Sequence, residues 1–217
     1  MATKVGGTGL LIVGGGGHAV VVAEAVSLQA GGLGLAGCLD DDASPAAARG
    51  PGGIERVGPL SQIQAVATGG GSWILGIGDL GARRTILDGL PGPARVGGAH
   101  TVAHPGAFVS PSATIGRGVF VGPGAIVHAR ARVADHAIIN SGAIIEHDVR
   151  VGENAHVASG AVLAGGASVG AHTLVGSGSA VLPGIRVGNG CVVGAGSVVR
   201  EDVPDGVTVV GVPARAT

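Results

Sequence analysis

A cluster of polar side chains between residues 140 and 156 carries the residue types that proton transfer requires. His147 stands between two acids, Glu146 and Asp148, and a second histidine, His156, follows nine residues later. Histidine changes charge near neutral pH, and either neighbouring carboxylate could orient the ring and raise its basicity, so His147 is a candidate general base. Because sequence neighbours in an extended segment point apart, a contact between His147 and Asp148 requires a corner in the chain.

Other chemistries have less support in this cluster. Two histidines nine residues apart, without a clear third ligand, match no standard zinc spacing, so we expect no metal. Ser141 lacks the partners of a nucleophilic triad. Cys191 occupies a position that the repeat described below fills with small inward-facing residues, so we expect it to be buried. We expect exposed turn or capping positions for five further histidines: His100, His104, His128, His136 and His172.

A second candidate site follows the first apolar segment of the chain. Residues 10–13 lead into a run of four glycines and His18, and residues 19–28 are predicted to form a helix. A strand, a glycine turn and a helix open a nucleotide-binding α/β unit, in which backbone N–H groups at the helix N-terminus bind phosphate. In a chain with 45 glycines, a tight turn without a ligand is the alternative.

Two more segments are predicted to end at the same edge of a small parallel sheet. The predicted strand at 33–39 ends in three aspartates, 40–42, and the predicted strand at 73–77 ends in Gly78 and Asp79. Ligands of such sheets bind at the carboxyl ends of the strands, although a solvated turn is the alternative for the acids. The sequence further predicts a loop at 44–57, helices at 60–67 and 80–90, and a fourth strand that includes Val96.

The polar cluster lies inside a six-residue repeat that runs without insertion from Ala113 to Asp202. Every sixth residue from Ile115 to Val199 is aliphatic, the residue two positions earlier is mostly small, and glycine often follows. An unbroken period of six is typical of a hexapeptide β-helix, a solenoid of short strands with about three hexads per coil. We expect the aliphatic residue to point inward and the glycine to relieve backbone strain at the turn.

At five positions the residue after the aliphatic one is larger than glycine or alanine, and these positions draw attention to the polar cluster. A regular solenoid does not require the replacements, and local departures from a fold's own rules tend to mark function. Two of them, Asn140 and Glu146, flank the cluster, and the others are His128, Leu182 and Arg200.

Composition limits the classes of partner. The 217 residues carry a formal net charge of −1 and no basic run, which argues against nucleic acid and anionic membranes as partners. No apolar stretch approaches the roughly 20 residues of a membrane span, and the start lacks a signal-peptide pattern. Two cysteines, Cys38 and Cys191, cannot build a disulfide framework, so we expect a cytoplasmic protein.

Together these motifs resemble a known family. The chain from Leu10 to Arg215 is similar to bacterial sugar O- and N-acyltransferases of the sialic acid O-acetyltransferase type. In layout it is close to the acetyltransferases of the UDP-N-acetylbacillosamine and GDP-perosamine kind, which act on the amine of nucleotide-linked 4-amino sugars. The resemblance rests on the glycine run with His18, on residues 38–41, 76–79, 110–113, 140–148 and 211–215, and on Arg83, His156, Leu182 and Pro183.

The resemblance implies an architecture and an assembly. An α/β Rossmann-like nucleotide-sugar-binding domain, residues 1–99, is expected to precede an all-β left-handed parallel β-helix, residues 100–217, with a short C-terminal tail. It also implies a homotrimer that binds acetyl-CoA as co-substrate in the cleft between neighbouring solenoids, without a metal.

By position, the resemblance also implies the roles of individual residues. His147 corresponds to the general base and Asp148 to the acid that tunes it. The acetyl-CoA contacts correspond to His156, Gly165, Ser177 and Ala195. The nucleotide-sugar positions correspond to Gly16, Gly17, His18, Asp40, Asp41 and Gly78. Asp79 stands where the family usually has asparagine.

We therefore expect the chain to move acetyl from acetyl-CoA to the amine of a nucleotide-linked amino sugar, by direct attack with His147 as base. One alternative is O-acetylation of sialic acid or another sugar hydroxyl. An alternative of another class is a trimeric scaffold or binding module, in which both His147 and His156 are catalytically idle. The sugar, its nucleotide and the acyl group stay open at this point.

Overall fold

The computed structural model describes residues 9–29, 31, 33–49 and 52–217. Its chain divides into two compact units between Val102 and Ala103, three residues after the predicted domain boundary. Residues 1–8 of the predicted first domain and residues 50 and 51 of the predicted loop lie outside the described residues.

The first unit is a small α/β fold. Its elements are β1 (Leu10–Val13), α1 (Gly17–Ser27), β2 (Leu35–Leu39), β3 (Arg56–Gly58), α2 (Ile63–Thr68), β4 (Ser72–Leu75), α3 (Leu80–Asp88) and α4 (Gly92–Val96). The four strands pair in parallel in the order β3-β2-β1-β4, which confirms the predicted sheet. The carboxyl ends of β1, β2 and β4 therefore share one edge, where the glycine run, the aspartates and Gly78 begin.

Three local differences separate this unit from the sequence-based expectation. Helix α1 begins at Gly17, two residues before the predicted start, because Gly16 already serves as its N-cap. Val96 ends the short helix α4 instead of lying in a strand, and Pro93 in the first turn of α4 favours that helix. The predicted loop contains the edge strand β3, which only its pairing with β2 reveals.

The second unit is built almost entirely from two-residue strands. In chain order the strands are β5 (Val102–Ala103), β6 (Phe108–Val109), β7 (Thr114–Ile115), β8 (Phe120–Val121), β9 (Ile126–Val127), β10 (Arg132–Val133), β11 (Ile138–Ile139), β12 (Ile144–Ile145), β13 (Arg150–Val151), β14 (His156–Val157), β15 (Val162–Leu163), β16 (Ser168–Val169), β17 (Leu174–Val175), β18 (Ala180–Val181), β19 (Arg186–Val187), β20 (Val192–Val193), β21 (Val198–Val199), β22 (Thr208–Gly211) and β23 (Ala214–Ala216). Each strand from β7 to β21 ends on an aliphatic residue that the six-residue count predicts.

These strands stack into three parallel sheets, which form the three sides of each coil. Val133 pairs with Ile115 in the coil before and with Val151 in the coil after. Sheet 1 is β7-β10-β13-β16-β19, sheet 2 runs β5-β8-β11-β14-β17-β20-β22, and sheet 3 is β6-β9-β12-β15-β18-β21. Three hexads thus make one coil, which confirms the predicted β-helix. Strand β23 folds back antiparallel on β22 and ends the solenoid.

The glycine after each aliphatic residue has a different role from the predicted one. The left-handed backbone conformation occurs two residues later, for example at Gly118, whose φ is 65°. At Gly152, by contrast, an added Cβ would lie 2.4 Å from the backbone nitrogen of Ala171 in the next coil. The expectation of backbone strain at this position was wrong, because glycine is needed there for the close approach of neighbouring coils.

The core of the solenoid is a column of aliphatic and small side chains. The inward residues Ile139, Ile145 and Val157 are fully buried, and so are the small corner residues Ala143 and Ala155. This close packing fixes the corners of the coils, so a polar side chain at a corner has a defined position. Cys191 is buried at such a corner, as predicted.

Candidate active site

His147 and Asp148 form the turn between β12 and β13, at the corner that joins sheet 3 to sheet 1. Asp148 has a φ of 62°, a left-handed conformation that aspartate tolerates better than most residues. The turn brings the two adjacent side chains together, with 2.9 Å between Nδ1 of His147 and Oδ2 of Asp148. The solenoid therefore supplies the corner that a contact between sequence neighbours requires.

Arg130 holds Asp148 in place from the preceding coil. Its Nε and Nη2 donate to the two carboxylate oxygens of Asp148, each at 2.7 Å. These bonds, followed by the one from His147, hold the pKa of Asp148 well below its usual range. The same pairing raises the pKa of Arg130. Asp148 is thus ionised at neutral pH and accepts the Nδ1–H of His147, which leaves Nε2 of the neutral ring with a lone pair for a proton.

Gly165 lies against the reactive edge of the His147 ring, one coil further along the same corner. A Cβ added to Gly165 would lie 2.7 Å from Nε2 of His147. The lack of a side chain at Gly165 therefore leaves the space that the His147 ring occupies. The His147 side chain is 60 % exposed, so a substrate has access to it.

Glu146, the other acid beside His147, faces a different partner. Its Oε1 lies 3.9 Å from Nε2 of His128, whose ring in turn lies 6.3 Å from the ring of Phe108. Of the two carboxylates that could orient His147, the structure therefore selects Asp148.

A second polar cluster occupies the corner that joins sheet 2 to sheet 3. Oδ1 of Asn140 accepts the backbone N–H of Ser141 at 2.8 Å, and Nδ2 of Asn140 lies 3.2 Å from Nε2 of His156. Because that Nδ2 is a donor, Nε2 of His156 acts as the acceptor. Ser177 and Ala195 lie in the corresponding turns of later coils, where Ser177 accepts a backbone hydrogen bond from Gly196.

The predicted coenzyme contacts are therefore divided between two corners of one chain. Gly165 belongs to the corner of His147. His156, Ser177 and Ala195 belong to sheet 2 or to the corner between sheets 2 and 3. Sheet 3 separates the two corners.

The predicted nucleotide-sugar residues of the first unit lie at one edge of its sheet. Gly16 and Gly17 open helix α1, and a Cβ at either position would meet no atom within 4 Å. Both glycines are exposed, and a helix N-terminus is the place where backbone N–H groups bind phosphate. His18 lies in the first turn of α1, and a Cβ at Gly78 would be 3.8 Å from the Cβ of His18.

The aspartates at this edge also hold the loops together. Oδ2 of Asp40 accepts the backbone N–H of Gly15, and Oδ1 of Asp40 accepts that of Asp42. Oδ1 of Asp41 accepts the backbone N–H of Leu60 at 3.0 Å. Asp40 and Asp41 therefore both stabilise neighbouring loops, in addition to any contact with a ligand.

Asp79 is the N-cap of helix α3. Its Oδ1 accepts the backbone N–H of Ala82 at 2.7 Å. Asparagine caps helices about as well as aspartate, so this departure from the family pattern preserves the local fold. One turn later Arg83 is buried and donates to the carbonyl of Ile77, and burial lowers the pKa of Arg83 to about 10.

Comparisons with known proteins give matches to both units of the chain. Residues 9–90 match a family described as the PglD N-terminal domain, and residues 130–165 and 166–201 match the bacterial transferase hexapeptide (six repeats). No curated protein sequence matches the chain. PerB from Caulobacter crescentus, whose crystal structure holds CoA and GDP-perosamine, is 37 % identical, with 96 % of this chain and 97 % of PerB covered and a TM-score of 0.84.

The chain belongs to the hexapeptide-repeat nucleotide-sugar acyltransferases. The acetyltransferase domain of PglB from Neisseria gonorrhoeae, in complex with acetyl coenzyme A, is 31 % identical over 98 % of this chain and 100 % of that domain, with a TM-score of 0.84. WeeI from Acinetobacter baumannii, 21 % identical with a TM-score of 0.75, shares the fold over 96 % of this chain and 99 % of its own. In this family the β-helix is left-handed, which agrees with the predicted fold class.

Sequence reasoning missed one residue of this acyltransferase's candidate site, Arg130, and misjudged the burial of His136 at another corner of the solenoid. Arg130 was not predicted, although it precedes Asp148 by the 18 residues of one coil, a spacing that identifies stacked neighbours. His136 was expected to be exposed but is fully buried. Its backbone has a φ of 59° at a corner, and a Cβ at Gly118 of the preceding coil would lie 2.4 Å from its ring. The prediction failed because the coil above and below covers a corner side chain.

Two further observations concern metal ligands and membrane-spanning helices. Within the described ranges, no set of three or more His, Cys, Asp or Glu side chains is arranged to hold a metal ion. No helix in the part of the chain that the structure describes is long and apolar enough to cross a membrane.

Proposed function

We propose that this acyltransferase moves acetyl from acetyl-CoA to the amine of a nucleotide-linked amino sugar, with His147 as general base. The observation that carries the proposal is the bond from Nδ1 of His147 to an ionised Asp148. It commits Nε2 to accepting a proton, on a ring that is open to substrate. Support also comes from PerB, which was crystallised with CoA and GDP-perosamine.

The reaction needs one proton acceptor and one leaving group. The amine nitrogen attacks the thioester carbonyl, and Nε2 of His147 takes a proton from that nitrogen as the new C–N bond forms. When the tetrahedral intermediate collapses, the C–S bond breaks and CoA leaves as the thiol, with the proton returned from His147. Asp148 stabilises the imidazolium between these steps, and Arg130 keeps Asp148 ionised and in position.

The two substrates are assigned to the two units by their chemistry. We propose acetyl-CoA contacts for His156, Gly165, Ser177 and Ala195. We propose nucleotide-sugar contacts for Gly16, Gly17, His18, Asp40, Asp41 and Gly78. The exposed glycines at the N-terminus of α1 support a phosphate-bearing acceptor.

We also propose that the protein acts as a homotrimer. The outward residues of sheet 3 form an apolar strip, whereas the outward residues of sheet 1 are arginine, serine and threonine. The strip consists of Phe108, Ile126, Ile144, Val162, Ala180 and Val198. Phe108 is exposed and the other five are partly exposed, and such a row of apolar side chains indicates a protein interface. Because sheet 3 lies between the corner of His147 and the corner of Ser177, packing it against further copies would bring the first corner of one copy near the second corner of another.

The cytoplasm is the proposed compartment. Cys38 and Cys191 are both free and buried, which suits a reducing environment. Burial is also the main cause that raises the pKa of Cys38, so this thiol stays protonated and unreactive.

The proposal is tested by supplying acetyl-CoA together with a panel of acceptors: GDP-perosamine, UDP- and dTDP-linked 4-amino sugars, and free sialic acid. We expect CoA release with at least one nucleotide-linked amine and none with sialic acid. Release with sialic acid alone would favour the O-acetyl alternative. Absence of release with every acceptor, together with no effect of acetyl-CoA on the melting temperature, would support the scaffold alternative.

A further inference from the structure

A pocket beside the His147–Asp148 pair contains two arginines, Arg132 and Arg150, that the proposed chemistry does not use. It has a volume of about 220 Å³ and is lined by Ser112, Thr114, Arg130, Arg132, Asp148 and Arg150. We call it the arginine pocket. A water molecule occupies about 30 Å³ in the liquid, so the pocket has room for a phosphate group and its surrounding solvent.

Two arginines of the pocket face each other without a compensating acid. Arg132 and Arg150 are register partners on the adjacent strands β10 and β13 and project outward from sheet 1, where strands lie about 4.8 Å apart. Among the described residues neither makes an ion pair, and both are exposed. Like charges directly opposite each other destabilise a sheet. An anion between the two guanidinium groups would remove that repulsion.

The one carboxylate of the pocket cannot serve this purpose. Both oxygens of Asp148 accept from Arg130, and Oδ2 also binds His147. Asp148 neutralises one of the three guanidinium groups, so the pocket keeps an excess of two positive charges. Guanidinium groups match the oxygens of phosphate well, and the hydroxyl of Thr114, the register partner of Arg132, stands at the rim as a further donor.

We infer that the arginine pocket binds a phosphate group of a substrate, held between Arg132 and Arg150. The inference rests on the proposed function and adds a phosphate subsite on the solenoid to it. Inorganic pyrophosphate is the simplest ligand of this chemistry. In the reaction the phosphate comes either from the diphosphate of the nucleotide sugar or from the coenzyme.

Geometry favours the nucleotide sugar as the source. Asp148 belongs to the pocket and touches His147, so a phosphate there lies close to the reacting amine. In a nucleotide-linked amino sugar only the sugar ring separates the amine from the diphosphate. In acetyl-CoA the long pantetheine arm separates the thioester from the nearest phosphate.

The test compares the double variant R132Q/R150Q with Arg186→Gln in the full-length protein. Arg186 projects from the same sheet, beyond Ser168, and lies outside the pocket, so Arg186→Gln shows the effect of losing one exposed positive charge elsewhere on that sheet. Calorimetric titrations use GDP, UDP, inorganic pyrophosphate and CoA. Circular dichroism and the elution volume of each variant verify the fold, which we expect to persist because the side chains are exposed.

We expect R132Q/R150Q to weaken the binding of pyrophosphate and of GDP or UDP by about tenfold or more, since hydrogen bonds to charged groups contribute that much each. CoA binding should be unchanged, as should every affinity of Arg186→Gln. A loss confined to CoA would still support a phosphate pocket and would assign it to the coenzyme. Unchanged affinities in R132Q/R150Q, or no binding of any of these ligands by the wild type, would overturn the inference.

Turnover separates this inference from the proposed function. If the wild type acetylates an amino sugar, and R132Q/R150Q does so with the same KM for the amino sugar and for acetyl-CoA, the inferred phosphate site is wrong and the proposed function stands. If the wild type acetylates nothing, the function fails, and the titrations still decide whether the pocket binds phosphate.

Discussion

At the scale of single residues, the site depends on an aspartate in a conformation that glycine usually occupies. Gly166 and Gly184 adopt the same left-handed turn in the next two coils of this corner, with φ of 71° and 72°. Asp148 tolerates this conformation because its carboxylate gains His147 from its own turn and Arg130 from the coil before. The residue pattern singled out His147 and left both neighbouring acids open, and the family resemblance implied Asp148. Neither identified Arg130, since stacking across coils had to be counted in steps of 18 residues.

A substitution at Gly165 tests how precisely the His147 ring must be positioned for catalysis. In Gly165→Ala the new Cβ would meet Nε2 of His147 at 2.7 Å, so the ring must shift. Because a misplacement of about 1 Å at a reacting group can cost about a hundredfold in rate, we expect kcat to fall by roughly tenfold to a hundredfold. Steady-state kinetics measures this. The melting temperature should change little, because the ring is exposed and free to move.

A double variant provides the control for this effect. If Gly165 acts only by leaving room for the ring, Gly165→Ala should cause no further loss of rate in the background of His147→Ala. An equal loss in both backgrounds would mean that Gly165 acts on the reaction without His147.

At the scale of secondary structure elements, Asp79 replaces the asparagine usual in the family and still caps a helix. It caps α3 through the backbone N–H of Ala82. We expect Asp79→Ala to lower the free energy of unfolding by about 0.5–2 kcal/mol, and Asp79→Asn to change it far less. Urea unfolding monitored through Trp73, the only tryptophan and a buried residue of this unit, measures both.

Kinetics of the same two variants separate capping from substrate contact. A cap alone predicts that Asp79→Asn retains the wild-type KM for the nucleotide sugar. A large change in that KM with unchanged stability would instead assign Asp79 to the substrate.

Elements with a long periodic pattern were predictable, and short irregular ones were not. Every strand from β7 to β21 follows from the count of six, because each coil repeats the same packing problem. Strand β3 and helix α4 carry no such pattern. The pairing of Arg56 with Cys38 and the proline in the first turn of α4 determine them. The role of the glycines was also mistaken, because the sequence does not show how closely coils approach.

At the scale of the whole molecule, the proposed coenzyme contacts of one chain are split between two corners. Gly165 adjoins His147, whereas Ser177 and Ala195 lie across sheet 3. The sequence predicted these residues through a family resemblance but gave no sign of the division. The division is the physical reason to expect several copies of the chain around one site.

The apolar strip on sheet 3 makes the assembly testable. Val162→Glu places a charge in the middle of the strip, between Ile144 and Ala180, where burial against another copy would be costly. We expect this variant to sediment as a monomer, whereas the wild type sediments as a trimer. The matched control is Ser168→Glu, which places the same charge on sheet 1 between Arg150 and Arg186 and should stay trimeric. A wild-type monomer, or a trimer of Val162→Glu, would contradict the proposed interface.

The most direct test of the account is the turnover of His147→Ala with acetyl-CoA and the best nucleotide-linked amine. We predict that kcat falls by about 10²–10⁴-fold, because removing a general base typically costs that much in rate. The KM for acetyl-CoA and the melting temperature should stay close to those of the wild type, since the His147 side chain is 60 % exposed. Near-normal turnover by a folded His147→Ala variant would contradict the central claim.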